Sequence, residues 1–185
     1  MFKRALTNFL KTSKKTSQKG FTLIELLVVI GILGVLAAAL VATIDPFEQL
    51  KKANDANVKN TAVEFVNATI RYYTTHNAMP WNNDTACAGQ TGANFVTSGQ
   101  TLSSMMTCLS DLVSDGELKP GFTTVTNILN TIIISGASNT TVACFNPQSK
   151  AENHDSNTKY NQVGGTASGC PVTTGISTAC FWCAQ

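Results

Sequence analysis

A chain of 185 residues is long enough for one domain of ordinary size and an appendage. Six of its thirteen Lys and Arg residues fall within the first twenty positions with no acid among them, and removing those six takes the formal charge from +2 to −4. The slightly basic balance therefore belongs to a leader, and the acidic body excludes a broad basic footprint for nucleic acid.

The leader, residues 1–20, carries Lys3, Arg4, Lys11, Lys14, Lys15 and Lys19. Residues 21–44 follow with Glu25 as their only charge, and these 24 residues are enough at 1.5 Å each to cross a bilayer core of about 30 Å. Basic residues on the N-terminal side keep the leader in the cytoplasm and send the rest outward. The segment is open to three readings: a cleaved secretory signal, with Ala37-Ala38-Ala39 as the small-residue cut; a plain membrane anchor; or a helix that uses Glu25. A basic region of twenty residues is long for a secretory signal, and an acid inside the apolar run suits neither of the first two readings. An isolated carboxylate near the middle of a spanning helix costs roughly 2.5 to 3.5 kcal/mol. A cut between Gly20 and Phe21 supplies a partner, because the new α-amine lies one helical turn from Glu25 of the same chain or of a neighbouring copy.

The stretch Lys19-Gly20-Phe21-Thr22-Leu23-Ile24-Glu25 and the apolar run behind it resemble the N-terminus of type IV prepilins and of the pseudopilins of type II secretion. The resemblance implies that a prepilin peptidase removes the leader after Gly20, that the Phe21 amine is N-methylated, and that Glu25 with Phe21 serves subunit docking. It also implies a helix that holds the subunit in the membrane before assembly and packs in a filament core afterwards. Gly34, Ala38 and Ala42 place a small residue at every fourth position of that helix, which lets helix backbones approach closely.

Residues 45–77 continue as an amphipathic half. Asp45-Pro46 reads as an N-cap with proline at the first helical position, or as a local break. Beyond it Phe47, Leu50, Val58, Ala62, Phe65, Val66, Ile70 and Tyr73 recur at threes and fours, opposite Lys51, Lys52, Asp55, Lys59 and Arg71. Glu48 with Lys52 and Asp55 with Lys59 are acid-first pairs at four residues. A single helix from Thr22 to His76 measures on the order of 80 Å.

The head begins at residue 78. Residues 78–120 read as a loop rich in Asn, Thr and Gly through Gly99, then a short helix over Leu102–Val113 that stops near Gly116, and a Leu118-Lys119-Pro120-Gly121 turn. Residues 121–185 read as strands over Thr123–Ser135 and Thr140–Phe145, followed by a loop-rich C-terminal region. The expected fold is α+β: a long N-terminal helix, half membrane-spanning and half amphipathic, packed on a small antiparallel β-sheet, with a disulfide-pinned C-terminal region. The cysteines, Cys87, Cys108, Cys144, Cys170, Cys180 and Cys183, are even in number and confined to the head, the usage of an oxidising, extracytoplasmic location. Sequence leaves 15 connectivities open, and pairing Cys87 with Cys108 leaves four cysteines to staple the sheet and the C-terminal segment.

Chemistry-bearing patterns are few, and no enzymatic role is expected. His76 lies at a helix end and His154 in a polar loop, neither near a nucleophile motif. Cys180 and Cys183 have the spacing of a redox or zinc pair, but lack a second close pair and fit structural disulfides better. Asn153, Asp155 and Asn157 alternate like the first ligands of a calcium loop. Thr158 stands where the loop needs glycine and Gly164 where it needs glutamate, so the only support is that some type II pseudopilins hold calcium in a C-terminal loop. Asn67, Asn83 and Asn139 head N-x-Thr triplets. No cofactor is expected. The partners implied by the resemblance are other pilin subunits, the prepilin peptidase, the assembly machinery and, before assembly, the membrane. The expected function is that of a type IV pilus subunit, with a pseudopilin of a secretion or DNA-uptake system as the alternative and a released extracellular binding protein as the third. Twitching, adhesion and DNA uptake share one subunit architecture.

Overall fold

The computed structural model describes residues 20–43, 45–91 and 95–185. The leader through Lys19, Ile44 and Gly92 lie outside the described residues. The chain divides after Asp45 into two units, and each is taken by itself.

In the first unit, α1 runs over Leu23–Thr43, built from Leu, Ile, Val, Ala and Gly with a single acid, Glu25, and a closing Thr43. It has no polar face, as expected of a helix whose surroundings are apolar on every side. None of its residues is buried by the rest of the chain, and it is long and apolar enough to cross a membrane.

The second unit opens with α2, Pro46–His76. Asp45, ahead of it, is not helical, and Pro46 holds the first helical position, one of the two expectations for this dipeptide. Proline has no N–H to give and is at home in a first helical turn, whose N–H groups have no partner within the helix. The buried stripe of α2 is Asp55, Val58, Ala62, Phe65, Val66, Ala68, Thr69 and Tyr72. Periodicity misplaces its ends. Phe47 (74 %), Leu50 (67 %) and Ile70 (47 %) are exposed, whereas Asp55, expected on the polar face, is 3 % exposed. Neither four-residue pair forms as read: Lys59 Nζ meets Glu152 at 2.6 Å, Glu48 accepts the N–H of Lys150, and the Asp55 carboxylate accepts backbone N–H groups of residues 148 and 149. A carboxylate that caps buried backbone donors gains more than an exposed pair worth a few tenths of a kcal/mol.

The sheet has four strands in the order β1-β2-β3-β4, with every neighbouring pair antiparallel: β1 Gln100–Thr101, β2 Ile132–Gly136, β3 Thr141–Phe145 and β4 Trp182–Ala184. Its centre is the β2–β3 hairpin, in which Ile132 faces Phe145 and Ile134 faces Ala143. α2 lies against β3 and β4, and Phe65, Ile132, Ile134, Ala143 and Phe145 form one core with Leu102, Met105, Leu109 and Leu112. The latter four belong to a 3-10 turn, Leu102–Met105, and to α5, Met106–Ser114.

The strand expected over Thr123–Ser135 shortens to β2. Before it come a 3-10 turn, Pro120–Thr124, and α6, Thr126–Leu129. The hydroxyl of Thr124 donates to the Gly121 carbonyl and that of Thr131 to the Ile128 carbonyl, both at 2.7 Å, so these threonines close turns rather than pair strands. The loop expected over Asn77–Gly99 contains two single-turn helices, α3 (Pro80–Asn83) and α4 (Thr85–Ala88), the second capped by Asp84. Gly99, at φ +69°, brings the chain into β1 so close that a Cβ would stand 2.7 Å from the Ile133 side chain. The last short helix, α7 (Lys150–Asn153), begins under the Ser149 side chain.

Candidate processing and assembly site

Gly20, Phe21 and Thr22 precede the first helical residue, Leu23, so the Gly20–Phe21 bond lies in non-helical backbone. Phe21 is 87 % exposed. One turn on, Glu25 is not left alone in the uncut chain. Its Oε2 accepts the Thr22 backbone N–H at 2.8 Å and the Thr22 hydroxyl at 2.7 Å, while Thr22 Oγ1 accepts the Glu25 N–H at 3.3 Å. This is a reciprocal capping box, N-cap threonine with a glutamate three residues later, and it satisfies donors that a helix start otherwise leaves open. Thr22, which holds Glu25 here, is not among the site residues expected from the sequence. Its signal, T-x-x-E ahead of an apolar run, was present in the quoted stretch.

Gly34, Ala38 and Ala42 all lie on α1 and are exposed, and a Cβ added to Gly34 would meet nothing within 4 Å. Among the described residues of this unit, nothing covers the stripe.

In the head, the structure joins Cys87 to Cys108, Cys144 to Cys183 and Cys170 to Cys180. The first bridge ties α4 to α5. The second crosses β3 and β4 at a directly facing pair, and the third closes a ten-residue loop. Cys180 and Cys183 therefore serve two different bridges, and no cysteine is free.

The three calcium-like positions do not converge. Asn153 is fully buried, donates to the carbonyls of Pro147 and Ser149 and accepts from the Ser177 N–H. Asp155 receives the N–H of Asn157 at 2.7 Å and so closes its own turn. Among the described residues no group of three His, Cys, Asp or Glu side chains is placed to hold a metal ion. His76 stacks on Tyr72 with ring centroids 3.9 Å apart, and His154 Nε2 bonds the Gly175 carbonyl at 3.0 Å. Asn83 donates to the Tyr72 hydroxyl, and Asn67 is exposed on α2.

An apolar, wholly unburied helix near the N-terminus, with a capped carboxylate at its start, and a disulfide-bonded α+β head together fit the class of membrane-anchored precursors. Residues 15–41 match the family model of the prokaryotic N-terminal methylation motif, the signature of type IV pilins and pseudopilins. Motif and apolar helix support a type IV pilin-like or pseudopilin protein. No curated protein and no solved structure matches the chain.

Proposed function

We propose that the chain is the structural subunit of a type IV pilus, made as a membrane-anchored prepilin, cleaved after Gly20, methylated on the Phe21 amine and polymerised through α1 into a surface filament. The observation that supports this most is α1 itself: a helix of 21 residues, apolar but for Glu25 and Thr43, with none buried. At about 25 cal/mol per Å² of apolar surface, such a helix is driven out of water. Lipid covers it before assembly, and the α1 helices of other subunits cover it afterwards, with Gly34, Ala38 and Ala42 permitting close approach. The three disulfides suit a head that works outside the cytoplasm.

The test is to shear filaments from the surface of the producing cell and read the N-terminal peptide of their main component by mass spectrometry. A peptide of this chain that begins at Phe21 and carries one added methyl is the expected result. The same methylated terminus found only in the cell envelope, with no surface filament, would assign the chain to the pseudopilins instead. An N-terminus at Leu40 would establish a secretory signal and end the filament reading.

A further inference from the structure

We propose that the head is matured by thiol–disulfide exchange with a partner of one chemical class, an extracytoplasmic dithiol of the disulfide-isomerase kind. The inference rests on the extracytoplasmic head of the proposed function. Its own ground is the order in which the cysteines are paired. A head that crosses the membrane behind α1 emerges in chain order, and joining each cysteine to the next gives Cys87–Cys108, Cys144–Cys170 and Cys180–Cys183. The structure keeps only the first of these. Cys144 is joined to Cys183, and Cys170–Cys180 is nested inside that bridge.

The native pair of Cys144 depends on a late segment. Cys183 faces Cys144 only once β4 lies on β3, with Trp182 against Phe145 at 5.7 Å between ring centroids. Until then Cys170 is the next thiol that Cys144 meets in an oxidising compartment. Cys180 and Cys183, at Cys-x-x-Cys spacing, close a far shorter loop than the 39 residues of the native bridge, at less cost in chain entropy.

Three exchanges lead from the adjacent pairs to the native ones. The partner's thiolate attacks Cys183 Sγ of Cys180–Cys183, forms a mixed disulfide and releases the Cys180 thiolate. That thiolate attacks Cys170 Sγ of Cys144–Cys170, which makes Cys170–Cys180 and releases the Cys144 thiolate. Cys144 then attacks Cys183 Sγ of the mixed disulfide, which makes Cys144–Cys183 and returns the partner's thiolate. The number of disulfides is unchanged, so the exchange needs no oxidant; the electrons and protons of the original thiols have gone beforehand to a disulfide-bearing oxidase. Cys144, Cys180 and Cys183, at 0, 1 and 8 % exposure, are then out of reach of further thiolates, which makes the native pairing the end point.

The experiment reduces and unfolds the full-length chain, returns it to detergent without denaturant, and oxidises it with diamide, which leaves no thiol to catalyse exchange. Half of the sample then receives a catalytic amount of reduced protein disulfide isomerase, and mass spectrometry of unreduced peptides maps the bridges. Before the catalyst, Cys144–Cys183 is expected in about a third of the chains or fewer, the share that chance gives one of three pairings of four cysteines; the catalyst should raise it about three-fold. Catalyst with alkylated thiols should change nothing. Cys170→Ser/Cys180→Ser, in which Cys183 is the next cysteine after Cys144, should form Cys144–Cys183 under diamide alone. Cys144→Ser/Cys183→Ser should likewise form Cys170–Cys180, so that one variant decides where the other fails to fold. Native pairs throughout the parent under diamide alone would overturn the proposal, because Cys170–Cys180 then closes first and no exchange is needed. So would a map that the catalyst leaves unchanged, or one that the alkylated catalyst changes as far. Free thiols at every cysteine of the chain as taken from the cell would overturn the extracytoplasmic head, a result that no refolding outcome imitates.

Discussion

The carboxylate of Asp55 on α2 accepts the backbone N–H of Ser149 at 2.8 Å, and its two oxygens also receive the N–H of Gln148 at 3.0 and 3.1 Å. The contact spans 94 residues and fixes the chain after β3 to the helix on which the sheet packs. Nearby, Lys59 reaches Glu152 and lies over the Trp182 ring, 4.6 Å from its centroid, so α7 and β4 are gathered onto the same turns of α2.

Asp55→Ala removes a charged acceptor and leaves two backbone donors with no partner. Hydrogen bonds to charged groups contribute about 1.5–3 kcal/mol each, so a loss of about 3 kcal/mol is expected. For a chain of this size that lowers the melting temperature by roughly 6 to 12 °C. Thermal unfolding of the detergent-solubilised chain, followed by near-ultraviolet circular dichroism, measures it. A drop below 2 °C would mean that water replaces the carboxylate at little cost.

The same residue marks how far the sequence was legible. The apolar helix Leu23–Thr43 is legible because its signal is local, length and charge along one segment, whereas the roles expected of Gly20, Phe21 and Glu25 come from the resemblance. The hairpin of β2 and β3 was readable from its β-branched residues and the Gly136 turn. Asp55 reads as a polar-face residue because an acid at helical spacing gives no sign of backbone donors 93 residues away. Residues 123–131 read as strand for their Thr, Val and Ile, yet the hydroxyls of Thr124 and Thr131 close turns, and Phe122 and Leu129 are buried in the core. β1 and β4, two and three residues long, are held by their neighbours and have no pattern of their own. Disulfide pairing is likewise a product of the tertiary fold.

The bridges differ in the loop each closes. Sequence separations of 39, 21 and 10 residues for Cys144–Cys183, Cys87–Cys108 and Cys170–Cys180 predict stabilisation in that order. Chain entropy puts the three at about 4, 3 and 2.5 kcal/mol. Loss of Cys144–Cys183 also frees β4, and with it Trp182 from Phe145, which widens its lead. Paired Cys→Ala variants compared by melting temperature give the order, and a reversed order would show that strain or residual structure outweighs loop entropy. Alkylation of the denatured, unreduced chain should label no cysteine and, after reduction, all six.

Gly20→Leu should leave full-length precursor in the membrane and no filaments. A peptidase must bring its catalytic groups against the backbone at the bond that it cuts, and a side chain at Gly20 stands in that approach. The block should exceed ten-fold in the rate of conversion, read by the mobility shift on gels after pulse labelling, while Gly20→Ala should be cut at an intermediate rate. Normal conversion of Gly20→Leu would move the cut, or the recognition, to another position.

Glu25→Val separates membrane residence from assembly. In the membrane the acid is a burden of roughly 2.5 to 3.5 kcal/mol near the centre of a span, less near its end, and the Thr22 cap lightens it further. Replacing it with valine should therefore leave insertion and processing intact and retain the subunit in the bilayer at least as firmly as the parent. In the filament proposed above the balance would reverse. The Phe21 amine of the next subunit would enter a medium of low dielectric, where a charge pair is worth more than in water and an unpaired charge is expensive. Removing one partner of a buried pair costs about 3 to 5 kcal/mol, more than a hundred-fold in each association step. Processed Glu25→Val subunits should accumulate in the membrane fraction while sheared filaments fall below detection, and Glu25→Asp, whose carboxylate is one methylene short, should assemble poorly. Filaments of Glu25→Val at the parental yield would show that the acid serves the helix start alone.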